Sequence, residues 1–229
     1  MARTPLLAAT LVLATLPLAA QKSPAGGAAA PAGAKAPFSV VEASIPEMRS
    51  ALEQGRVTSR ELVRQSLERI ATYEETLNGV LAVNPGALAE ADALDRERRE
   101  GKVRGPLHGI PIALKDNIQT TNLPTTGGAL AFEGFVPPYE ATLVKNLREA
   151  GAIVIAKTVM TELANWIAGS PTPMPTNYSA VGGYGRNPYD PRRDPREATA
   201  DGRPALATGG SSSGIGTAAS FWAANVGTE

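Results

Sequence analysis

Two short apolar runs, each closed by a lysine, constrain this chain more than any other feature. "GIPIAL" spans residues 109–114 and is followed by Lys115, and "AIVIAK" spans 152–157 and ends in Lys157. Between them "EATLVKNLREAG" carries apolar residues at helical spacing and a terminal glycine. Short apolar strands alternating with a helix imply an α/β fold with a largely parallel or mixed sheet. The two lysines then stand at equivalent strand ends. A lysine that loses hydration there has a lowered pKa, and its neutral amine can act as a base. The competing reading is an ordinary side chain that reaches solvent or pairs with Asp116, since lysines are rarely fully buried. Lys157 serves as the internal control for Lys115, because only one of the two needs a special role.

Upstream, helices are announced by their caps. Ser44 with Glu47 and Thr58 with Glu61 both fit the reciprocal capping pattern in which two side chains satisfy free amides at a helix start. In the second helix Leu62, Val63, Ser66, Leu67, Ile70 and Tyr73 share one face, which predicts packing against a large surface. A third helix is expected from "NPGALAEADALDRERREG", with Asn84 as cap, Pro85 in the first turn and Gly101 as terminator. From Gly169 to Gly209 the sequence is rich in Pro, Gly, Asn and Arg. That pattern fits either a long connection lining a site or a disordered insertion.

Composition narrows the chemistry. Lys plus Arg equals Asp plus Glu at 22 each, so no net field draws the chain to nucleic acid or to an anionic membrane. Cysteine is absent, which removes disulfides, thiolate metal sites and a cysteine nucleophile. His108 is the single histidine, so neither a multi-histidine metal centre nor more than one Ser-His-Asp base can be built from the sequence. The first twenty residues, with Arg3, the stretch "PLLAATLVLATLPLAA" and small residues at Ala19 and Ala20, read as a secretory signal peptide. Residues 21–37 read as an Ala/Pro/Gly-rich linker and 38–229 as the folded part. Export to the periplasm or the extracellular space is expected, with no stable membrane anchor after cleavage.

"GGSSSGIG" at 209–216 offers hydroxyls on a backbone that glycines allow to approach a ligand. Alone, such a cluster is most simply a loop. Gly214, Gly216 and Ala219 also match a dinucleotide fingerprint, but no hydrophobic strand precedes them and little sequence follows in which to place a ribose-binding acid.

Taken together and in this order, "GPLHGIPIALKDNI", "TTGGALAFEG", "EATLVKNLREAGAIVIAKTVMTELA", "YGRNPYDP" and "GGSSSG" make the chain resemble the amidase signature hydrolases, from about Val40 to Glu229. The resemblance implies an α/β/α layered domain around a mixed sheet, and cleavage of amide carbon–nitrogen bonds by a Ser-cisSer-Lys triad. Lys115 in "ALKDN" takes the place of the triad lysine and Ser211 that of the cis serine, with Ser212 and Ser213 as alternatives for the bridge. In the family the nucleophilic serine follows the equivalent of "GTE", so its place falls beyond Glu229, together with the amides of the oxyanion hole. The chain then corresponds to about the first half of such a domain, its sheet edge and apolar surface incompletely covered, and is expected to be inactive alone. The implied substrate is a small-molecule amide or a peptide amide, with no metal or organic cofactor and no nucleic acid partner. The competing expectation is an exported, non-catalytic binding protein on the same scaffold.

Overall fold

The computed structural model describes residues 37–165, 177–197, 201–208 and 213–228. Helix α1 (Ile45–Glu53) starts at the reciprocal cap, with Ser44 and Glu47 each accepting from the other's backbone amide. Helix α2 (Ser59–Leu77) is capped by Thr58, whose hydroxyl accepts from the Glu61 amide at 3.1 Å. The Glu61 carboxylate turns instead to Arg64 and Gln65. Two further amides at this helix start are satisfied by a distant residue. Asp95 accepts from the amides of Ser59 and Arg60 at 2.7 and 3.0 Å, placing a carboxylate at the positive end of the helix dipole.

Of the face expected on α2, Leu62, Val63, Ser66 and Ile70 are buried and Leu67 is partly so. Tyr73 is exposed, with the Arg69 guanidinium 5.2 Å from its ring centroid. Helix α3 (Ala87–Arg99) begins later than Asn84 suggests, because the Asn84 side chain accepts from the Gly86 amide at 2.8 Å and donates to the Val154 carbonyl at 2.8 Å. That residue closes a turn and ties it to the sheet. Gly101 follows the helix with φ +75°, as a terminator should.

The sheet contains β1 (Val80–Val83), β2 (Pro111–Lys115), β3 (Ile153–Thr158) and, late in the chain, β6 (Ala224–Val226), in the order β1-β3-β2-β6. β2 is parallel to both β3 and β6, and β1 is antiparallel to β3. Helix α4 (Thr142–Glu149) lies on the connection between β2 and β3. Alternation along β3 builds the layers: Ile153 and Ile155 pack with Val63, Ile70 and Leu94 of α2 and α3, while Val154 packs with Val144 of α4 and Leu114 of β2. The expected α/β/α arrangement with a mixed sheet is therefore present. A third apolar cluster seats α1 through Met48, Ala51 and Leu52 against Leu62, Ile110 and Ile112.

β2 and β3 are entered through a crowded turn. Gly151 has φ +90°, and a Cβ there would stand 2.6 Å from the His108 Cα, so only glycine fits. The His108 ring is itself buried and satisfied on both sides: Nδ1 accepts from the Arg104 amide at 3.1 Å and Nε2 lies 2.9 Å from the Leu94 carbonyl. This pairing calls for the neutral tautomer with its proton on Nε2, and the residue is structural. The long connection contributes a small hairpin, β4 (Tyr178–Ser179) with β5 (Gly183–Tyr184), before the single turn α5 (Ile215–Ala218) leads into β6. Among the described residues no helix is long and apolar enough to cross a membrane.

Candidate active site

Because β2, β3 and β6 run parallel, their carboxyl ends open on one side of the sheet, where open α/β sheets bind ligands. Lys115, Lys157 and the Gly227–Thr228 segment arrive there together. Both lysine side chains are fully buried, which excludes the solvent-reaching reading for either. Strand register separates them. Lys115 pairs with Thr158 and Leu114 with Lys157, so the lysines are offset by one residue and leave the sheet on opposite faces.

Lys157 faces the side of α4 and meets a closed set of partners. Its Nζ donates to the Thr125 hydroxyl at 2.8 Å and the Pro124 carbonyl at 3.0 Å, and lies 3.4 Å from Asp116 Oδ1. Burial pushes its pKa down to about 8, against the opposing attraction of Asp116. The other Asp116 oxygen accepts from the Thr126 amide at 2.9 Å and from the Thr126 hydroxyl. Asp116 thus pairs with Lys157, and the expected alternative in which it neutralises Lys115 is replaced by this cross-strand pair. The pair fixes the segment from Asp116 to Thr126 against the end of β3.

Lys115 Nζ donates to the Thr228 carbonyl at 2.5 Å, and Asn117 Nδ2 donates to the Thr228 hydroxyl at 2.7 Å. Residues 115 and 117 therefore grip the segment that follows β6 from its neighbouring strand. Gly227 sits between the lysine and Ser213: a Cβ there would stand 3.0 Å from Ser213 Oγ and 3.9 Å from Lys115 Cδ. The fold brings Ser213 to Lys115 across that glycine. Ser211 and Ser212 lie outside the described residues. Asn117 and Thr228 were not singled out in the sequence. The only available signal was the adjacency of Asn117 to Lys115, since the position of Thr228 depends on β6 joining the sheet.

The glycines that fit a dinucleotide fingerprint have a different use. A Cβ at Gly216 would stand 2.1 Å from the Trp222 ring, so this glycine lets the indole close over α5. Trp222 Nε1 then donates to the Thr217 hydroxyl at 2.9 Å, and Arg69 of α2 donates to the Ala219 and Ser220 carbonyls. These contacts hold α5 and β6 against the sheet, and through β6 they set the position of Thr228. No cluster of metal-ligating side chains occurs among the described residues.

The amidase family model matches residues 61–229. The A subunit of glutamyl-tRNA(Gln) amidotransferase from Rhodopirellula baltica is 39% identical over 175 residues, which are 76% of this chain and 34% of that protein. Native peptide amidase from Stenotrophomonas maltophilia superposes with a TM-score of 0.70 at 39% identity, covering 81% of this chain and 36% of the enzyme. An amidase family protein from Bacillus anthracis superposes at 0.71 with 36% identity, covering 83% and 36%. The chain spans about a third of the length of these relatives.

Proposed function

The chain belongs to the amidase family, and from that premise we propose that it carries the proton-relay half of an amide-hydrolysing site, with Lys115 as the base and Ser211 as the bridge. The observation that carries this reading is the fully buried Lys115 at the carboxyl end of β2, across Gly227 from Ser213. A serine hydroxyl is a poor nucleophile near neutral pH and must lose its proton as it attacks. In the proposed reaction a nucleophilic serine, expected beyond Glu229, passes its proton through the Ser211 hydroxyl to the Lys115 amine. Its oxygen bonds to the amide carbon, and the resulting tetrahedral intermediate expels the amine, which takes the proton back from Lys115 by the same route. Water then attacks the acyl-enzyme, with Lys115 again accepting the proton; the bond from the acyl carbon to the serine oxygen breaks, that oxygen recovers the proton from Lys115 by the same route, and the carboxylic acid leaves.

Ser213 is the alternative bridge, supported by its position across Gly227 from the lysine. The likeness to a peptide amidase favours a small-molecule or peptide amide as substrate. No cofactor is required by this scheme. The leader-like residues 1–20 support an exported protein, and the amino-terminal residue of the mature protein tests that part: a start near Gln21 agrees with it, and a start at Met1 contradicts it.

The test of the chemistry is turnover of simple primary amides by the full-length protein carrying Lys115→Ala or Ser211→Ala. Each variant is expected to lose at least about a thousandfold in kcat. Undiminished turnover in both overturns the assignment. Tight binding of amides by the unsubstituted protein, without cleavage, would point to a binding protein on the amidase scaffold.

A further inference from the structure

The turn between α5 and β6 is held by a residue far from it in sequence. Arg69 of α2 spreads its guanidinium over two carbonyls there: Nη2 donates to the Ala219 carbonyl at 2.6 Å, and Nε to the Ala219 and Ser220 carbonyls at 3.2 and 2.9 Å. These carbonyls follow the end of α5, where helix geometry leaves acceptors without an intrahelical donor. The Tyr73 ring, one turn further along α2, backs the guanidinium. A second contact reaches the same turn from the amino-terminal side of α1, where the Glu42 amide donates to the Ser220 hydroxyl at 3.0 Å. Glu42 and Ser220 both have φ +55°. Neither is glycine, and such a backbone persists only where its surroundings impose it. The turn feeds β6, whose three residues pair with residues 112–114 of β2, and β6 delivers the Thr228 carbonyl to the Lys115 amine. Three paired residues resist a slip weakly, so the place of Thr228 depends on where the strand is entered.

We propose that Arg69 is a positioning residue for amide hydrolysis, acting through the α5–β6 turn to set the Thr228 carbonyl against Lys115. The inference rests on the amidase reading above and extends that site to α2. A carbonyl binds an ammonium more strongly than a neutral amine. The contact therefore gains strength as Lys115 takes up the proton, and displacement of Thr228 is felt in kcat rather than in KM.

The experiment measures kcat and KM for one simple primary amide with the full-length protein carrying Arg69→Met, Arg69→Lys or Arg64→Met. Arg69→Met is expected to lose at least about tenfold in kcat with KM within about threefold of wild type. Arg69→Lys, which keeps one cationic donor in place of the planar fork, is expected to recover at least about threefold of that loss. Arg64→Met is the control: it removes an arginine of the same helix that pairs only with Glu61 and Glu68 among the described residues, and both constants are expected within about twofold of wild type. Hydrogen exchange followed by mass spectrometry reads the geometry without turnover. Amides of residues 222–228 are expected to exchange at least about tenfold faster in Arg69→Met, with those of β3 unchanged. Wild-type kcat in Arg69→Met, a loss of kcat matched by Arg64→Met, or a loss that Arg69→Lys does not relieve overturns the proposal and leaves the amidase reading standing. If the wild-type protein hydrolyses no amide, that reading fails, and the exchange alone decides whether Arg69 sets the Thr228 segment: unchanged exchange, or exchange that quickens equally in β3, refutes it.

Discussion

The ends of β2 and β3 look alike in sequence and differ in the folded protein. Each strand is apolar, each carries a lysine near its carboxyl end, and both lysines are fully buried. The one-residue offset in register sends them to opposite faces. On the α4 side Lys157 finds a carboxylate, a hydroxyl and a carbonyl, all supplied by residues 116–125. On the other face Lys115 meets the carbonyl of Thr228, more than a hundred residues along the chain, beside the glycine that borders Ser213. A buried ion pair anchored within one short segment is suited to fixing that segment. A buried amine at a junction of three chain segments is suited to exchanging a proton with whatever the junction holds. Burial alone does not distinguish the two lysines; the origin of their neighbours does.

This contrast breaks most clearly if Lys157 is truncated. Lys157→Met leaves Asp116 buried beside an apolar side chain, and stability is expected to fall by about 3–5 kcal/mol in denaturant unfolding. Adding Asp116→Asn to that variant is expected to restore part of the loss, because the uncompensated charge is then gone. A loss under 1 kcal/mol for Lys157→Met would mean the pair fixes nothing.

The contrast sharpens with pH. Lys157 is held at about 8 in the folded protein against 10.5 for an unperturbed lysine. Between those values the unfolded chain binds more protons than the folded one, so this group makes stability rise with pH through that window and contributes a constant term below it. Relative to Lys157→Met, the wild-type protein is expected to gain on the order of 1–3 kcal/mol from pH 8 to 10.5. A difference that is flat or falls across the window contradicts the burial argument. The smallest expected effect belongs to Thr125→Val, which removes one acceptor from Lys157 while keeping the shape. A cost of about 1–2 kcal/mol in the same unfolding assay is expected, and no cost at all would show that the hydroxyl is not used.

What the sequence disclosed and what it concealed follow the same division between local and non-local causes. The caps at Ser44 and Thr58, the buried stripe of α2 and the β2-α4-β3 unit were readable because their signals repeat within a few residues. Asp95 capping α2 was not readable, since it is supplied from another helix. β1 and β6 were missed: each is at most four residues long and has no alternation strong enough to mark it. The partner of Asp116 could not be chosen between two lysines without the register of β2 on β3. Lys115 was a candidate from its place at a strand end and took its expected role only through family resemblance, whereas the contacts of Thr228 and Asn117 follow from β6 joining the sheet. Ser211 and Ser212 rest on family resemblance and lie outside the described residues.

The most direct measurement is the rate of amide turnover per folded molecule for Lys115→Met and Lys157→Met, made side by side in the full-length protein. The account predicts at least a thousandfold loss for Lys115→Met with little change in unfolding, and turnover within about tenfold of wild type for the folded fraction of Lys157→Met. Equal losses of turnover in the two, or a Lys115→Met protein that still hydrolyses amides, would contradict the division between a reactive and a structural lysine.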